Sequence, residues 1–584
     1  MIRWAKVACS GLLATAVIVT LAWARPGAAS GESYPLPVPS SPGKADSAQK
    51  HFAGKLPVTE LNEQEAILHA LNRLGFGPHP GEVEQIQKTG LESWIQAQLH
   101  PENIVDSEVD ARLSEYPTLR LSAASLFDRY PSQDVAAKRL GLKVDEYQKR
   151  LQDLAKQPQG MSSLPFKDQQ EIVNELMQAK MLRAIYSERQ LNEQLADFWF
   201  NHFNVFIYKD LDRWYVIPYE RDTIRPHVLG KFRDLLEATA KSPAMLFYLD
   251  NSTSADPHAF DRLKQHPVRA RPGVKLPPVG PKRGLNENYG RELMELHTLG
   301  VDGGYTQQDV IDVARAFTGW TIESPRENPE FYFDERLHDP DPKRVLGKKI
   351  HAGGMKDAEQ VLDLLVKNPH TAHHISLQLA QHFVSDNPPE ALVKRMTKTF
   401  EKSKGDIRAV MATMIYSREF WSRAAFRAKV KTPFELVAST VRALGADVDQ
   451  PVQMAQWVAR IGEPLYQCLT PNGYSDKGST WISTGSLLNR MNFAVALTSN
   501  KVRGAQVDVN SLVGLDVGRN PKLALDRVET VFLAGQVSDT TRATLDRETT
   551  DPQILGATLD DPVKQVNLGL LTGLVLGSPE FQKR

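Results

Sequence analysis

Apolar residues recur along this chain at helical rather than strand spacing. Ile67, Leu68, Leu71 and Leu74 fall on one face of a helix. Asn62 and Glu65 open it with the spacing of a capping box, and Gly75 closes it. A second helix starts at Pro80 and stops at Gly90, and a third carries Leu91, Trp94, Ile95 and Leu99. Val173, Leu176, Met177, Met181, Leu182 and Ile185 make a longer stripe, followed by an aromatic-rich one from Leu191 to Phe206. Further helices are expected around 361–365, 377–383, 406–420, 432–444, 486–499, 521–534 and 562–577. Strand signals are few. Phe331 and Phe333 alternate with polar residues and Val345-Leu346-Gly347 follows, so the two are expected to form one hairpin across the turn from Asp339 to Pro342. Strands do not alternate with helices, which argues against a doubly wound sheet. The expected fold class is mainly α: a large multi-helix domain, in one body or two lobes, with at most a small β-hairpin.

Three stretches depart from this pattern. Arg3 and Lys6 precede an apolar run from Val7 to Ala24, and Gly27-Ala28-Ala29 follows. Charge, apolar run and small residues in that order read as a secretory signal over 1–29, which makes the mature protein periplasmic or secreted. An uncleaved N-terminal anchor is the alternative, because the run is just long enough to span a bilayer. Residues 30–58, rich in Pro, Ser, Gly and Ala, read as a disordered linker, and the helical domain then occupies 59–584. Inside it, 251–284 reads as a flexible loop with six prolines and the cations Lys264, Arg269, Arg271, Lys275, Lys282 and Arg283.

Composition narrows the partners. The 584 residues hold 70 acidic and 70 basic side chains, with 41% hydrophobic and 24% charged residues, as in an ordinary globular protein. No net field favours nucleic acid, and once the signal is removed no segment calls for a membrane. Cys9 leaves with the signal. Cys468 then stands alone, so no intramolecular disulfide is expected and stability must come from a large core.

Several blocks resemble those of one bacterial family. They are LNRLGFGPHPGEVEQIQKTGLESWIQAQL (71–99), FWFNHFNV (198–205), GLNENYGRELMELHTLGVDGGYTQQDV (284–310), ARAFTGW (314–320), HFVSDNPP (382–389), KTPFELVAS (431–439), PNGYSD (471–476) and LGSPEFQKR (576–584). The chain is similar, from about residue 61 to its end, to domain-of-unknown-function family 1800. The resemblance implies an exported, mainly helical protein, often encoded beside a second exported protein of sulfatase-like type. It brings no reaction and no ligand.

The residues themselves offer three clusters. On a helix over 287–298, Asn288, Glu292 and Glu295 share a face beside the buried stripe of Tyr289, Leu293 and Leu296. Two carboxylates flanked by Asn286, Asn288 and Arg291 suit a divalent metal or an acid–base pair. They equally suit structural ion pairs with Arg221, Arg225 or Arg291. In a second cluster Asp197, Asn201 and Asn204 share a helix face, with His202 turned about 100° away among aromatics, the setting of a core histidine or of a third catalytic group. The third comprises Asp334, His338, Asp339 and Asp341, with His351 close behind, a metal-binding turn or simply a turn. No G-x-S-x-G, G-x-x-x-x-G-K-[ST], H-E-x-x-H or C-x-x-C-H motif is present. Two functions therefore stand side by side. One is a hydrolytic or metal-dependent enzyme, or its accessory, with Glu292, Glu295 and His202 as catalytic candidates and Asn201, Asn286, Asn288 and Arg291 as binding candidates. The other is a non-catalytic helical scaffold for a second exported protein or a surface polymer.

Overall fold

Asn62 starts the first helix, Glu63–Arg73, as its spacing predicts: its side chain accepts the Glu65 N–H at 2.9 Å, and the Glu65 carboxylate accepts the Asn62 N–H at 2.9 Å. The computed structural model describes residues 55–157, 164–265, 284–351, 353–556 and 565–584. The expected signal (1–29) and almost all of the linker (30–58) lie outside the described residues. From Phe52 to Arg584 the chain forms one compact unit around a continuous apolar core, and it is mainly α.

The middle of that core is built by Gln170–Tyr186 and Gln190–His202, which bury Ile172, Val173, Leu176, Leu195 and Trp199 almost completely. Pro433–Ala443 and Pro451–Ile461 pack against the first of these helices. Thr432 begins Pro433–Ala443 with a second capping box, answered by Glu435, and Pro433 supplies the fixed φ of a first helical residue. Pro369–Phe383 enters from the other side and stacks the His382 ring edge-on against Phe198, centroids 5.2 Å apart.

Three two-stranded antiparallel sheets are present among the described residues. Phe331 and Phe333 do lie in a strand, but the expected partner is wrong. Glu330–Phe333 pairs back with Trp320–Glu323, because Trp320 and Ile322 are buried there and Trp320 packs edge-on against Phe331. Leu346-Gly347 is itself a two-residue turn with φ of 49° and 73°, joining Lys343–Val345 to Lys348–Ile350. The Asp339–Pro342 turn closes no hairpin because Arg315 grips the Asp339 carboxylate at 2.6 Å. Within the segment read as a loop, Ala259–Gln265 is a helix, and 266–283 lie outside the described residues. The helix expected over 287–298 is α-helical only from Asn288 to Met294. A π-helical turn, Glu295–Leu299, follows it and shifts the register of everything after Met294.

Candidate active site

The Asp197 face of Gln190–His202 opens on a cleft lined by Asp197 and Asn201, and Asn204, which lies beyond the end of the helix and so is not placed by its period, lines it too. Asn201 and Asn204 hold a loop over that face. The Asn201 amide donates to the Tyr474 carbonyl at 2.8 Å and its oxygen accepts the Tyr474 N–H at 2.7 Å. Asn204 donates to the carbonyls of Cys468 and Thr470, each at 2.9 Å. Gly473 makes the approach possible: its φ is 68°, and a Cβ there would stand 2.3 Å from the Asn201 carbonyl oxygen.

The loop so fixed delivers Asp476 to His382, whose Nδ1 lies 2.7 Å from the carboxylate. Burial pushes the Asp476 carboxyl upward, but the His382 ring, Lys429 and Arg584 together hold it below the usual carboxylate range. Lys429 braces the same corner by donating to Asp386 at 2.6 Å and to the Asp476 carbonyl.

On the opposite wall Lys180 forms an ion pair with Asp197 and lies over the rings of Tyr466 (4.8 Å) and Phe434 (5.1 Å). Glu463 sits beside this pair. One of its oxygens accepts the Phe434 N–H at 2.8 Å. Burial, reinforced by the Asp197 charge, pushes its carboxyl up to about 8, against the pull of Phe434 N–H and Lys180. Glu463 is therefore a neutral acid at pH 7 next to a carboxylate. Below them Arg225 bridges Glu193 (2.8 Å) and Glu220 (2.8 Å), and the Tyr466 hydroxyl donates to Glu220. Burial would raise Glu220 as well, but Arg225 and Arg183 overcome it and bring it to about 2. That charged floor fixes Tyr466 and the wall it belongs to. The cleft, lined also by Phe198, Phe200, Tyr474 and Trp481, has room for about 40 Å³, enough for one or a few waters.

The other sequence candidates stand elsewhere. His202 turns away from the cleft into the core, its Nε2 3.3 Å from the His297 carbonyl oxygen, and burial brings its pKa down to about 3. The fold thus sets His202 against the π turn after Met294, but the groups it touches are His297, Gln378 and neighbouring aromatics rather than Glu292 or Glu295. Glu292 is half-buried and has no hydrogen bond or ion pair among the described residues. Burial and then the Glu295 charge raise its carboxyl. Glu295 accepts the Tyr305 hydroxyl at 3.0 Å. None of the expected arginines pairs with them: Arg221 holds Asp222, Arg225 holds Glu193 and Glu220, and Arg291 reaches Glu287 and Gln307. Asn286 accepts the Asn288 N–H at 2.9 Å at the helix start, and Asn288 is exposed. In the third cluster Asp334 pairs with Arg336, Asp339 with Arg315, and His338 lies 3.4 Å from Asp357. Among the described residues no group of three or more His, Cys, Asp or Glu side chains is disposed to hold a metal ion.

Sequence reasoning missed Lys180, His382, Glu463 and Asp476. His382 and Asp476 stand inside two of the family-like blocks, and Lys180 lies three residues before Arg183 on the same helix face. Glu463 carries no local signal.

The fold and cleft define a large mainly α protein with a buried acid–base cluster at the meeting of widely separated segments. Residues 69–583 match the family described as "Protein of unknown function (DUF1800)", and the chain belongs to that family. No curated protein and no solved structure matches it.

Proposed function

We propose that this protein is an exported enzyme of hydrolytic, acid–base type working in the Asp197–Glu463 cleft. The observation that carries the reading is a neutral Glu463 beside a carboxylate, Asp197, whose charge helps to keep it neutral. A carboxyl group raised in this way beside a second one suits the general acid of a general acid–base pair. Asp197, positioned by its ion pair with Lys180, takes a proton from water as its oxygen attacks the scissile centre. Glu463 gives its proton to the departing oxygen or nitrogen. The cleft's volume suits the attacking water. Support for a working site also comes from the blocks at 198–205, 382–389, 431–439 and 471–476, which all contribute groups to this cleft or to its braces. Export rests on the residue order of 1–29.

The test is turnover of chromogenic carboxylic esters, glycosides, anilides and phosphate esters by the mature protein, by Glu463→Gln and by Asp197→Asn. The wild type should hydrolyse one of these classes. Each variant should lose about 10²-fold or more in kcat, the usual contribution of a general acid or base. A wild type inert on all four classes, or variants as active as the wild type, would overturn the proposal.

A further inference from the structure

A second cavity, of about 390 Å³, lies away from the Asp197–Glu463 pair; its lining is mixed, with an apolar part formed by Leu68, Val83, Phe426, Leu512, Val531 and Phe581. One amine lines it. Lys431 is 3% exposed, and its peptide N–H donates to the Gln582 carbonyl at 2.9 Å, which fixes its backbone to the 576–584 segment. Its ammonium nitrogen lies 4.0 Å from the centre of the Phe581 ring and has no hydrogen-bond or ion-pair partner among the described residues.

The surroundings explain the isolation. The carboxylate that acts on it, Glu435, is taken by Arg584 at 2.7 Å and by the Thr432 N–H at 2.9 Å. The remaining charges facing Lys431 are cations. Arg427 is bound to the carbonyls of Leu533 and Gln536, and Arg490 to the Gln582 side chain and the Lys431 carbonyl. Lys429, two residues earlier, shows the contrast, with Asp386 at 2.6 Å to hold its charge. Burial, together with Arg427, Arg584 and Arg490, outweighs Glu435 and brings the Lys431 amine down to about 7.

A desolvated amine beside other cations, without a counter-ion, on the wall of a ligand-sized cavity that has an apolar part is a nucleophile poised for carbonyl carbon. We propose that this cavity binds a small apolar aldehyde or ketone and that Lys431 captures it as an imine. The Nζ lone pair adds to the carbonyl carbon. The nitrogen gives up its two protons, the carbonyl oxygen leaves as water, and a C=N bond remains. No oxidant or reductant takes part. Phe581 packs against the amine from one side, and the alkyl part of the ligand lies among the aliphatic walls.

The test treats the mature protein at pH 7 with butanal and cyanoborohydride, which reduces an imine to a stable secondary amine, and maps the modified lysines by peptide mass spectrometry. At that pH Lys431 has about half its amines neutral, against roughly one in 2,500 for an ordinary lysine. Labelling at Lys431 should therefore exceed that at any exposed lysine by about tenfold or more and should saturate with butanal concentration. In Lys431→Met that labelled peptide should vanish while the exposed lysines react as before. Exposed lysines labelled with Lys431 untouched, or Lys431 labelled no faster than they are, would overturn the proposal.

Discussion

Replacing Glu463 by Gln tests the cleft without any substrate. In the folded chain Glu463 keeps its proton to about pH 8, whereas in the unfolded chain it loses it near its ordinary value of 4.5. Between those values the folded state binds more protons than the unfolded one, so the wild type loses stability as pH rises and the loss is complete above pH 8. A shift of this size amounts to about 4–5 kcal/mol in all, of which about 3–4 kcal/mol falls between pH 5 and pH 8. Glutamine has the shape of the neutral acid and can accept the Phe434 N–H, but it has no proton to lose. Urea unfolding of both proteins at pH 5 and pH 8 should therefore show the variant gaining about 3–4 kcal/mol on the wild type between the two conditions. Every other titrating group cancels in that comparison. An unchanged difference at the two pH values would mean that Glu463 is ionised in the fold as it is in the unfolded chain, and the assignment of a neutral acid would be refuted.

Other perturbations follow from the same contacts. Lys180→Met leaves the largely buried Asp197 without its partner and should cost about 3 kcal/mol in denaturant unfolding. It also removes a cation that lowers Glu463, so the Glu463 carboxyl should titrate higher still. Gly473→Ala puts a Cβ against the Asn201 carbonyl at a left-handed φ and should destabilise by roughly 2–4 kcal/mol on thermal unfolding. Reduced protection of the Tyr474 amide in hydrogen exchange would locate that damage. Asp476 is held below its ordinary value of 3.8, so its contribution is present above that value and is lost as pH falls through the folded pKa. Asp476→Asn should accordingly cost about 1–2 kcal/mol at pH 7, discounted for a side chain one-third exposed, and the gap to wild type should close towards pH 3.

Helical spacing made the fold class readable, since the stripes at 67–74 and 173–185 are each the buried side of one helix. It also made part of the cleft readable, because Asp197 and Asn201 needed only the local period to be placed on one face, whereas Asn204 lies past the end of that helix. Non-local pairing was not readable. Phe331 and Phe333 had equal local reason to join the next apolar run, and only the burial of Trp320 and Ile322 decides for the earlier one. Glu292 and Glu295 looked like a pair on a regular helix, and the π turn beginning at Glu295 has no marker in its residue types. Glu463 and Asp476 were hidden for a different reason. Their chemistry is set by Asp197 and His382, partners far away in sequence that only the packed core brings near.

The direct measurement is the pH dependence of kcat for the mature protein on whichever chromogenic class it hydrolyses. With Glu463 as general acid, the rate should fall as pH rises through about 8, and Glu463→Gln should be slow with no such limb. A rate that keeps rising through pH 8, or a limb near 8 that survives in Glu463→Gln, would contradict the assignment of this cleft as the acid–base site.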